Sequence, residues 1–141
     1  MRRITTLLIA LLSFATLYAE QPYKVYCSIS GDVSVTNVNS QVGSISVDYG
    51  QERLYKSYLV DEQGERIAFS SMVAALNYMA QYGWELVSTE SKYQRSLLED
   101  RKLDKMVSVW ILSKMVTDNS QITEGFTTRQ IYEDSVSNAT K

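Results

Sequence analysis

The chain has 141 residues, enough for one small domain, with 14 basic and 16 acidic side chains and no histidine. The missing histidine removes Ser-His-Asp and Cys-His catalysis, and with a single cysteine only oxygen ligands are left for a metal. The acidic balance argues against nucleic acid and anionic lipid, which both call for a basic footprint.

Arg2 and Arg3 precede "ITTLLIALLSFATLYA", which carries no charge before Glu20. A basic start, a short apolar run and a small exit residue predict a secretory signal peptide over residues 1–19, cut after Ala19 to within a few residues. The apolar run is 16 residues, short of the ~20 that span a bilayer core, so an uncleaved anchor is the alternative. The mature protein is then expected in the periplasm or outside the cell, free of the membrane. Without Arg2 and Arg3 it carries 12 basic and 16 acidic residues, a net charge of −4. Cys27 cannot form an internal disulfide, and no lipid-anchor cysteine stands at the cut.

Residues 23–29, "YKVYCSI", alternate and predict a strand that buries Cys27 beside Ile29. "SGD" at 30–32 signals a turn, and 33–38 a short strand or loop. Residues 44–49, "SISVDY", set Ile45, Val47 and Tyr49 on one face of a half-buried strand that ends at Gly50. Residues 53–61 are a further strand candidate, 61–65 a turn and 66–69 an extended piece.

A helix follows, with Ser70 or Ser71 as its N-cap and Met72, Val73, Leu76, Met79 and Ala80 as its apolar stripe. Asn77, Gln81 and Tyr82 point away from that stripe. Gly83 stands where a helix C-terminus wants a left-handed residue. With Tyr82 as C-cap, Trp84 falls at the position whose side chain packs back on Met79. Met79, Gly83 and Trp84 are therefore expected to form a structural helix stop rather than a ligand site.

Residues 84–93 predict a strand, 94–105 a charged loop or one to two helical turns, and 106–115 the strongest strand. Val107, Val109 and Ile111 lie on one face of that strand and Met106, Trp110 and Leu112 on the other. A strand apolar on both faces is expected to be central and covered on both sides. If the first face meets the helix, Met106, Trp110 and Leu112 need another cover, and a second copy or an envelope protein is the favoured one. Residues 116–141 are polar and are expected to form a disordered tail, with at most one weak helical stretch near 128–136. The expected fold is α+β in two layers, one antiparallel sheet of four to five strands packed by a single helix, over residues 20–115.

"ALNYMAQYGWEL" at 75–86 and "VWILSK" at 109–114 resemble a small bacterial domain of unknown function, in which an Ala-Leu-Asn helix runs into Gly-Trp-Glu-Leu. "VDYGQ" at 47–51 and "LVDEQGERIAFSSM" at 59–72 are similar to an exported subgroup from gut anaerobes. The resemblance covers roughly residues 23–115 and implies no activity.

Two carboxylate groups stand out, Asp61-Glu62-Glu65 and Glu99-Asp100-Asp104. Paired carboxylates can hydrolyse glycosides or hold calcium, but neither group has calcium-loop spacing and both sit among basic residues. They read as solvated loop charge. The tyrosines could stack on sugars or peptides, and are equally ordinary in a small sheet. No catalytic residue, metal ligand or cofactor is assigned. The expectation is a non-enzymatic exported module that binds or self-associates. A carboxylate-dependent hydrolase or carbohydrate-active protein, or a membrane-tethered accessory protein, are the alternatives.

Overall fold

The computed structural model of the chain describes residues 21–33, 42–94 and 105–139. The expected signal peptide, the 34–38 piece, the connection within 95–104 and the Glu99-Asp100-Asp104 group lie outside the described residues. No described helix is long and apolar enough to cross a membrane.

The fold is α+β, built on a four-stranded antiparallel sheet. Its strands are β1 (Tyr23–Val33), β3 (Ser46–Asp48), β6 (Glu85–Gln94) and β7 (Lys105–Val116), in the order β3-β1-β7-β6. Two short pairs close around it. β2 (Val42–Ser44) pairs with β5 (Ala68–Phe69), and β4 (Leu59–Val60) pairs with β8 (Thr127–Thr128). The helices are α1 (Met72–Ala80) and α2 (Arg129–Ala139), with a 3₁₀ turn at Asn119–Ile122.

β7 is the spine. It pairs with β1 along eleven positions, from Tyr23 opposite Val116 to Val33 opposite Met106. That ladder overrides the turn expected at 30–32, because the twelve-residue β7 continues the pairing past those positions to Val33. The strand expected over 53–61 shrinks to Leu59–Val60, since Lys56 takes a left-handed backbone with φ 54° and turns the chain before it.

Cys27 stands opposite Leu112, and Ile29 opposite both Val47 and Trp110. All of these face the core, which also gathers Ile45, Leu59, Phe69, Met72, Ala75, Met79, Trp84 and Phe126. Here two expectations are corrected. Leu112 is fully buried and Trp110 packs against the same cluster, so they face the helix and are not its exposed opposite. The β1–β7 register sets this face, since Trp110 stands opposite Ile29 and Leu112 opposite Cys27. Met106 shares their phase along β7.

The stripe of α1 is also rotated from expectation. Met72, Ala75 and Met79 are buried and Leu76 partly so, whereas Val73 and Ala80 are exposed. Tyr82, expected to point away, packs on the core cluster, as does Tyr78. The spacing 72, 75, 76, 79 follows the helical period more closely than adjacent Met72 and Val73 could.

The second correction concerns the segment after 116. It folds onto the domain. Phe126 is 3% exposed within the core and Thr128 1% exposed. The stretch near 128–136, expected to be weakly helical in a tail, is a second helix docked on the domain, where a single packed helix was expected. Its polar composition hid the fact that one buried aromatic ring and a two-residue strand pair are enough to dock it.

Candidate functional site

The helix stop is built as its residues demand. The Ser71 hydroxyl oxygen accepts from Ala74 N at 3.1 Å, capping the start of α1. At the far end Gly83 N donates to Ala80 O at 3.1 Å and Trp84 N to Met79 O at 3.4 Å. This paired closure is the Schellman arrangement, and Gly83 has the left-handed φ of 85° it requires. Met79 and Trp84 both lie in the buried cluster. Trp84 Nε1 is buried with no partner among the described residues, so the indole is held by apolar packing, not by a hydrogen bond.

Two open depressions flank Lys114. One, of about 490 Å³, is lined by Gln81, Tyr82, Lys114, Glu124 and Gly125. The other, of about 310 Å³, is lined by Lys24, Gly83, Glu85, Ser113, Lys114 and Met115. Their shared cation is already engaged. Lys114 Nζ donates to Gln121 O at 2.8 Å and lies 5.9 Å from the Trp84 ring centre. It ties the 3₁₀ turn to the helix stop and is not a free charge for a ligand.

The carboxylates of the 61–65 turn serve the turn itself. Asp61 Oδ1 accepts from Gln63 N at 3.0 Å and Glu65 N at 2.9 Å. Nothing brings Glu62 and Glu65 into a shared site with it. Around this turn α2 makes a polar clasp. Arg129 Nη1 donates to Gly64 O at 2.9 Å, and Arg129 Nε to Glu133 Oε1 at 2.8 Å. Lys56 Nζ donates to Glu133 Oε2 at 2.5 Å. The Lys56 hydrogen bond, then that of Arg129, lowers the Glu133 carboxyl from its ordinary value. Its partners are raised by the same contact. Tyr49, beside Phe126 with ring centres 5.9 Å apart, is raised by burial and by the nearby Asp134 charge, against a hydrogen bond with Thr128.

Burial pushes the Cys27 thiol up to about 12, with the Asp48 charge adding to it. So buried a thiol is neither a nucleophile nor a disulfide partner at neutral pH.

The surface that stands out is the other side of the sheet. Every buried apolar residue of its four strands lies on the helix side, so among the described residues the outer face holds only Ser113 as a buried residue. Across β7 it presents Val107, Val109 and Ile111, partly covered, and Met115, 54% exposed. Tyr26 joins them from β1 at 56% exposed. Ser28 and Ser30 flank the stripe on one side, and Ser88, Glu90 and Lys92 on the other. Sequence reasoning had singled out this stripe but pointed it at the helix. Cys27 and Ile29, already placed in the core by alternation, share the phase of Leu112 and Trp110 through the β1–β7 register, and that register is not written in either strand alone.

No family model, curated protein or solved structure matches this chain.

Proposed function

We propose that this chain is an exported, non-enzymatic module of a bacterial envelope that self-associates, or binds a second envelope protein, through the outer face of its sheet. It is the kind of small exported domain suggested by the Ala-Leu-Asn helix and the Gly-Trp-Glu-Leu strand start. The observation that carries the reading is the row Val107, Val109, Ile111 and Met115 on the face opposite α1. Three β-branched side chains and a methionine in phase on one strand form an apolar strip rimmed by serines and charges, the arrangement interfaces favour. A two-layer fold leaves such a face available because α1 covers only one side of the main sheet.

Sedimentation velocity of the mature protein across micromolar concentrations tests it. A concentration-dependent dimer is expected, weakened by Met115→Asp and more strongly by Val109→Asp. Met115 is exposed, so its variant keeps its melting temperature and reports on association alone. A monomer throughout, together with no envelope protein retained by the immobilised domain, overturns the reading. Intact-mass measurement of the exported protein tests export, and a mass that begins near residue 20 is expected.

A further inference from the structure

We infer that two copies of this chain join edge to edge through β6, antiparallel about a two-fold axis at Ser91. The inference rests on the self-association part of that reading and sets a distinct contact at the β6 edge, beside the apolar face and not through it.

The four-stranded sheet has two edges, and they are treated differently. The β3 edge is closed by the chain itself. Val47 N donates to Ser57 O and Leu59 N to Ile45 O, both at 2.9 Å, and Ser46 bridges Tyr58. The β6 edge is ten residues long, and among the described residues no strand pairs with its outer side. Glu85 to Lys92 are all exposed. An open edge of that length is a template for another strand.

The register follows from two independent features. A bulge between Leu86 and Ser88 interrupts the β6–β7 ladder, and pairing then runs unbroken from Ser88 to Gln94. Ser91 is the midpoint of that regular stretch. The second feature is charge. In an antiparallel pair, residues directly opposite each other share a face, so a symmetric pairing must be centred on a residue. Centred on Glu90 or on Lys92, it sets that charge against its own copy. Centred on Ser91, it sets Glu90 of each chain opposite Lys92 of the other, twice. Opposite charges facing across a ladder stabilise it and like charges oppose it. Glu90 and Lys92 already lie 3.3 Å apart within one chain, both well exposed, and can exchange that contact for two across the axis.

Charges on an edge strand commonly serve to prevent pairing. A single sign does that against a second copy. A Glu and a Lys two positions apart, on either side of the centre, are instead self-complementary. Both project on the outer face, since Glu90 stands opposite Val109 and Lys92 opposite Val107. The joined sheet would have eight strands and bring two apolar strips onto one continuous surface.

The experiment uses the mature chain. Ser91→Cys places two thiols across the axis with Cα atoms about 4.5–5.5 Å apart, within disulfide reach. It should form a covalent dimer under mild oxidation. Ser88→Cys, opposite Gln94 of the second copy, should not, and Cys27 is buried and does not compete. Lys92→Glu alone and Glu90→Lys alone should each weaken the dimer by about tenfold, because two attractive pairs become repulsive ones. Mixing the two variants should restore assembly as a heterodimer. A wild-type dimer that Val109→Asp weakens, but that Ser91→Cys does not trap and charge reversal does not change, overturns edge pairing and leaves the face reading standing. A monomer at every concentration overturns both.

Discussion

The two ends of the core are closed in different ways. At the end of α1, residues 79–84 carry their own instructions. Gly83 takes φ 85°, its amide and that of Trp84 close on the last turn, and the indole drops into the core. At the C-terminal segment the local closures, the Asp118–Gln121 capping box and the turn from Thr123 to Phe126, do not by themselves bury the ring. Gly125 and Phe126 are held by residues more than forty positions away. A β-carbon on Gly125 would stand 1.8 Å from Tyr82 Cδ1, and Phe126 packs against Tyr49. The first closure needs only a hexapeptide, and the second needs the finished domain. A local stop survives changes elsewhere, whereas a remote clasp fails as a unit.

Phe126→Ala should show the largest effect, a loss of about 3–5 kcal/mol in chemical denaturation, because it removes a buried aromatic side chain. If the segment were only a tail the loss would be near zero, and the contrast between the two closures would collapse.

Next come the two glycines, which share a left-handed backbone but not their surroundings. At Gly83 an added β-carbon would meet only Lys114 Cε at 3.7 Å, an ordinary contact. Gly83→Ala should therefore cost about 1 kcal/mol, the conformational part alone. Gly125→Ala adds a collision with the Tyr82 ring and should cost about 2–4 kcal/mol. Equal melting temperatures for the two variants would show that the Tyr82 ring moves aside freely.

Ser71→Ala sharpens the local side. Loss of the cap to Ala74 should cost about 1 kcal/mol and leave the C-terminal segment as protected from hydrogen exchange as before.

The smallest effect is expected at the polar clasp. Glu133 has its carboxyl lowered in the folded state by Lys56 and then Arg129. A lowered carboxyl contributes stability above its unfolded value, and that contribution is lost as pH falls through the folded value. Acid should therefore loosen α2 as pH drops from roughly 5 toward 3. Glu133→Gln should lower the melting temperature slightly at pH 7, where the charged clasp is intact, and flatten that part of the profile, so that the two proteins converge in acid. An unaltered acid limb in the variant would mean that the clasp does not hold α2.

Much of the fold was legible. Strands at 23–29, 84–93 and 106–115 and the capped helix at 72–80 stand where alternation, the helical period and the Ser71 and Gly83 signals put them, whereas the strand expected over 44–49 is split at Ile45 into β2, which pairs with β5, and β3, which pairs with β1. The candidate interface was legible as a set of two apolar faces on β7, but not as to which face is free. Phe126 was missed because a single aromatic residue in a polar stretch has no periodicity. One sign was present nonetheless. Asp118 and Gln121 have capping-box spacing, and both reciprocal bonds form around the 3₁₀ turn.

What the sequence determined by itself is whatever closes within a few residues. That includes the alternation of each strand, the start and stop of α1, and the exclusion of histidine-dependent chemistry. Tertiary structure alone decided which side of β7 meets the helix, because both sides are apolar and the β1–β7 register selects between them. It alone decided that the polar C-terminal segment folds, because the burial of one ring and the pairing of two residues draw their energy from partners distant in the chain. Among the described residues it also left β6 as the open edge, since Ser57–Leu59 return to close the other one.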